Sequence, residues 1–85
     1  VDEATKDFIL RELRENQSPY FEDGDIEHYY SKNKGNLKAT VYEMLVIKSE
    51  DSTVSVSGLN TADTSNYFLR LASAYRPHHS GVLKT

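Results

Sequence analysis

Residues 21–50 read FEDGDIEHYYSKNKGNLKATVYEMLVIKSE, and two helix patterns meet within this stretch at Lys34-Gly35-Asn36. The first pattern predicts a helix over 22–34. Phe21 and Ile26 have the N′ and N4 spacing of a hydrophobic staple, and Asp23 and Asp25 fall in the first turn, where the helix dipole favours negative charge. Ile26, Tyr29 and Tyr30 form an i, i+3, i+4 face. Lys32 and Lys34 close the pattern, with Gly35 placed for a left-handed C′ position. Asn36 then caps a helix over 37–49. Leu37, Val41, Met44, Leu45 and Lys48 trace one face of it, while Tyr42, Val46 and Ile47 widen the apolar surface well beyond a stripe. A helix apolar nearly all round belongs at the centre of a core.

Working outward, Ala4, Phe8, Ile9 or Leu10, and Leu13 give helical spacing over 3–16. Asp2 is placed as its cap, Asp7–Arg11 and Arg11–Glu15 as i,i+4 pairs, and Pro19 ends it by disfavouring helix at the preceding residue. Residues 50–62 break the periodicity. Val54 and Val56 alternate with serine, which predicts a loop or a short edge strand needing a partner chain. A fourth helix is expected over 63–76, with Asp63 as N-cap and Asn60 and Thr61 as rivals. Its inner face takes Tyr67 or Phe68, Leu71, Ala72 and Tyr75, and Pro77 stops it. The expected fold is all-α: a small bundle of about four helices (3–16, 22–34, 37–49, 63–76) with an extended loop 50–62. Residues 1–77 form one helical domain in this reading, and 78–85 a mobile tail.

A chain of 85 residues is one domain with a modest core. It has no cysteine, which excludes disulfides and thiolate metal sites. No apolar run approaches the roughly 20 residues of a membrane span. The opening Val1-Asp2-Glu3 lacks the basic and apolar character of a signal peptide. These features predict a soluble protein of the cell interior or of a virion. Net charge is −3, unevenly spread: residues 1–30 hold nine acids and three bases, and residues 31–48 hold four lysines and one acid. An acidic face beside a basic one suits head-to-tail association of like subunits; solvated helix faces are the plainer account.

Candidate sites are few. The acidic run Glu22–Glu27 lacks the ligand spacing of an EF-hand loop, and dipole-favoured acids explain it better. His28, His78 and His79 have no zinc-motif spacing. There is no Gly-x-Ser-x-Gly elbow and no phosphate-binding glycine loop. The expectation is therefore a nonenzymatic chain with no metal and no cofactor. Lys32, Lys34 and Lys38 surround the turn and make a small basic footprint for non-specific DNA contact, although lysines near a helix C-terminus also follow from the dipole. Six tyrosines are many for this length, and neighbours such as Tyr29-Tyr30 cannot both face inward. The expected interaction surface comprises Tyr29, Tyr30, Lys32, Lys34, Lys38, Val54 and Val56.

Two resemblances follow from these residues. The segment Phe21–Leu45, through Lys34-Gly35-Asn36-Leu37-Lys38-Ala39, resembles the second and third helices of ubiquitin-associated and CUE-type modules. Their Met-Gly-Phe or Met-Phe-Pro ligand loop is absent, and Ser18-Pro19-Tyr20-Phe21 stands there instead. A longer stretch, about 20–82, is similar to small head–tail connector or adaptor proteins of tailed bacteriophages and prophages from Gram-positive hosts. The residues carrying it are Asn33-Lys34-Gly35-Asn36, Tyr42-Glu43, Ile47-Lys48-Ser49-Glu50, Ser57-Gly58-Leu59 and Tyr67-Phe68-Leu69-Arg70-Leu71-Ala72 leading to Tyr75-Arg76-Pro77. This resemblance implies a noncatalytic virion protein. It would form a homo-oligomeric ring at the portal vertex, join portal protein to neighbouring connector or tail proteins, and help retain packaged DNA.

Overall fold

The computed structural model describes residues 1–76, and these form four α-helices with no strand among them. They are α1 (Glu3–Glu12), α2 (Asp23–Lys32), α3 (Leu37–Glu50) and α4 (Thr61–Ser73), in agreement with the all-α bundle expected from the sequence. The expected tail 78–85 and the domain end at 77 lie outside the described residues.

Each helix start is explained by a short side chain satisfying orphan N–H groups. Asp2 accepts from Thr5 N–H at 2.7 Å, and Asn36 from Ala39 N–H at 3.0 Å. Asp25 reaches back to the Glu22 N–H at 2.9 Å, and Phe21 and Ile26 take the N′ and N4 places flanking it. At α4 the cap is Asn60, whose side chain accepts from Asp63 N–H at 2.7 Å. Asp63, expected as the cap, instead sits in the first turn, so α4 begins two residues early.

The helix ends differ more from expectation. α1 stops at Glu12, not at residue 16, because Arg14 adopts φ 61°. Arg14 N–H then bonds to Arg11 O at 3.1 Å and Glu15 N–H to Leu10 O at 3.1 Å, a Schellman closure. The end of α2 repeats it: Lys34, with φ 56°, is the C′ residue, donating to Ser31 O, while Gly35 donates to Tyr30 O. Gly35 is thus one place later than expected, although its own φ of 77° is also left-handed. α4 ends at Ser73, and Tyr75 N–H folds back onto Ala72 O at 2.8 Å.

The core is built around α3, which packs most extensively on α4 and less on α2 and α1. Val41, Met44 and Leu45 meet Ile9 and Leu13 from the α1 end, Ile26 from α2, and Phe68 and Ala72 from α4. Burial of each large apolar side chain contributes about 1.5–3 kcal/mol. The loop after α3 joins this core. Val54 is buried in it, Val56 packs against its edge, and the Ser18 hydroxyl donates to Ser55 O at 2.8 Å. The edge-strand expectation for Val54 and Val56 is therefore replaced by an inward-facing loop, covered by its own chain.

Candidate functional site

The most concentrated electrostatics lie inside the protein. Lys48, which continues the Val41–Met44–Leu45 face of α3, is fully buried, and its Nζ lies 2.7 Å from Glu15 Oε2. Its remaining donors go to Leu13 O at 2.8 Å and Ser18 O at 2.7 Å, so the three ammonium protons match three acceptors. The Phe68 ring lies 4.7 Å from the same nitrogen. Glu15 Oε1 accepts from the backbone N–H groups of Tyr20 and Phe21, at 2.9 and 3.0 Å. Burial pushes the Lys48 pKa below its ordinary value, and the Glu15 bond and charge oppose that. This pair fixes the α1–α2 connection rather than performing surface chemistry. It also removes Lys48 from the basic surface and Glu15 from the expected Arg11 pair.

The expected basic cluster is divided. Lys32 pairs with Glu43 at 2.5 Å, and that bond raises its pKa. Asn33 Nδ2 also donates to Glu43, at 3.0 Å, while holding Tyr29 O at 2.8 Å. Burial would raise the Glu43 pKa, but the bonds from Lys32 and Asn33 outweigh it and hold the group below the ordinary carboxylate value. Lys34 and Lys38 are exposed and, among the described residues, enter no ion pair. Tyr29 and Tyr30 are half-buried against the core. Tyr29 meets the Phe21 ring edge-on, and the Tyr30 ring lies beneath Gly35. Val54, expected as interaction surface, is 6% exposed and belongs to the core; Val56 is half-buried.

Two of the surface concavities adjoin α3. One, of about 400 Å³, follows the outward side of α3 and is lined by Asn33, Ala39, Tyr42, Glu43, Val46 and Ile47. Helical geometry sets Ala39, Tyr42 and Val46 on the side of α3 away from Val41, Met44 and Lys48, where Tyr42 and Val46 are half-buried and pack only against the edge of the core. The sequence signal was present in the all-round apolarity of this helix, which reads equally as complete burial. The other concavity, about 420 Å³, lies between the C-terminus of α3 and the N-terminus of α4, among hydroxyls, Glu50, Asp51 and the exposed Leu69. Asp51 is engaged there: it accepts from the Tyr20 hydroxyl at 2.6 Å and from both the amide and the hydroxyl of Thr53. Those bonds hold its pKa below the ordinary value.

Among the described residues no three His, Asp or Glu side chains gather as a metal site, and each buried side-chain polar atom has a partner. The arrangement offers an apolar groove with a charged rim, suited to taking up a side chain from another macromolecule. No family model, no curated protein and no solved structure matches this chain.

Proposed function

We propose that this chain is a noncatalytic assembly protein of a tailed-phage virion, a head–tail connector or adaptor. It assembles in the bacterial host cytoplasm and oligomerises at the portal vertex. There it joins portal protein to neighbouring connector or tail proteins and helps retain packaged DNA. The observation that carries this reading is the outward groove of α3, whose apolar floor of Ala39, Tyr42 and Val46 stays partly open to solvent. Its rim includes the paired Lys32 and Glu43. Depletion of unpaired charge around an aromatic centre is the composition of an association surface.

The segment after the α2–α3 turn favours the connector over a ubiquitin-associated or CUE-like binding module. α4 is the principal packing partner of α3, and Phe68 and Ala72 complete the core. The ubiquitin-associated pattern has no such helix. Non-specific DNA contact in this reading falls to Lys34 and Lys38, a small footprint that high salt screens.

Light scattering over a wide concentration range, together with electron microscopy of the concentrated protein and of mixtures with a tailed-phage portal protein, tests the reading. Ring-shaped or concentration-dependent oligomers, or a complex with portal, are the expected result. A strict monomer that ignores portal and binds a small protein partner through the Gly35 turn would favour the module reading instead.

A further inference from the structure

We infer that the assembly contact is head-to-tail, with Leu59 of one subunit seated in the α3 groove of the next copy. The inference rests on the oligomeric reading above and names the two surfaces that meet. Leu59 is a large apolar residue left 38% exposed at a loop tip. Gly58 turns the chain there with φ 85°, and Leu59 N–H closes the turn onto Val56 O at 3.0 Å. The base of the loop is pinned by buried Val54, by the Ser18–Ser55 bond and by the Tyr20–Asp51 bond. The projecting side chain is therefore presented on a pre-ordered turn, and little ordering entropy remains to oppose docking.

The two surfaces are complementary in charge. Residues 50–63 carry Glu50, Asp51 and Asp63 and no base, whereas Lys34 and Lys38 are the bases left beside the groove once Lys32 is set against Glu43. Glu43, the acid in the groove wall, is already matched by Lys32. Like-charge contact disfavours knob against knob and groove against groove, while the mixed pairing brings opposite charges together. Because knob and groove share no residue, a subunit docked through one can still present the other. Such a heterologous contact propagates, and it gives a ring when the rotation closes.

The absence of cysteine makes the contact directly testable. Single variants Leu59→Cys and Val46→Cys each carry one thiol. Mixed at assembling concentration under mild oxidation, with one variant mass-tagged, they are expected to yield a disulfide-linked heterodimer, while either alone yields little. Leu59→Asp is expected to weaken self-association by at least about tenfold in sedimentation analysis without moving the thermal melt. A predominant Val46→Cys homodimer would mean a two-fold groove contact and overturn the inference. Oligomers that form without the mixed cross-link and tolerate Leu59→Asp would overturn it too, yet leave the assembly reading standing. A chain that stays monomeric throughout removes the inference, and one that also ignores portal removes the connector reading with it.

Discussion

Lys48 and Glu15, 33 residues apart in the chain, meet at 2.7 Å with side-chain exposures of 0% and 8%. The Glu15 carboxylate spends one oxygen on the ammonium and the other on the Tyr20 and Phe21 amides. The connection between α1 and α2 is therefore folded around a charge carried by α3. Replacing one partner leaves the other buried and unmatched, the situation in which ion pairs matter most.

Glu15→Ala is accordingly expected to lower unfolding free energy by about 3–5 kcal/mol, a large part of a small domain's stability. A paired Glu15→Leu, Lys48→Met variant is expected to lose much less than the two single changes together, because no lone charge remains buried. Urea unfolding midpoints decide this. A loss below about 1 kcal/mol for Glu15→Ala would mean that the pair behaves as a solvated surface bridge in solution.

Asn60 and Asp63 compete in sequence for the start of α4, and the bond from Asp63 N–H to Asn60 Oδ1 settles the roles. Asn60→Ala is expected to cost about 1 kcal/mol, the worth of a lost N-cap. Asp63→Ala removes only a favourable charge near the dipole and is expected to cost about 0.3–1 kcal/mol. Thermal melts of the two variants give the order, and a larger loss for Asp63→Ala would refute the assignment.

Tyr75 donates its hydroxyl to Glu12, half-buried where the end of α4 meets α1. Burial first, and the Glu12 bond and charge second, push its pKa from 10.0 up to about 12. The folded state therefore keeps this proton where the unfolded chain has lost it. The stabilisation is fully present below pH 10.0 and disappears as pH rises through about 12. The Asp51 bond also raises the Tyr20 pKa, so an ultraviolet titration should show a late transition near pH 12 whose amplitude falls in Tyr75→Phe. Glu12→Gln should move that transition partway down, since burial persists. Ionisation of Tyr75 near the ordinary value of 10.0 would contradict the contact.

What was readable in the sequence was local. The Asn36 cap and the Phe21–Ile26 spacing each act within a few residues, and they place α2 and α3 to within one or two positions. The end of α1 was missed because Arg14 fills the left-handed site where a glycine would have announced it. The inward direction of Val54 is not legible locally, because it depends on the Ser18–Ser55 bond between residues far apart in the chain. Lys48 stood in register with the apolar face of α3, a visible anomaly, but its meaning required Glu15 from another element. The α3 groove was hidden for a related reason. All-round apolarity does not say which side the neighbouring helices cover, and here they leave Tyr42 and Val46 partly open.

The ionic junction also carries a kinetic consequence. α3 and α4 are near neighbours in sequence and can pair early, whereas Lys48 gains its carboxylate only after a loop of some 33 residues closes. Junction closure is then expected after the folding barrier, as a latch rather than a nucleus. In a chevron experiment Glu15→Ala will speed unfolding and leave the folding limb nearly unchanged, whereas a slowed folding limb would place the latch in the nucleus. On that expectation, one lysine shut away from water bears more on the lifetime of the native state than on the speed of reaching it.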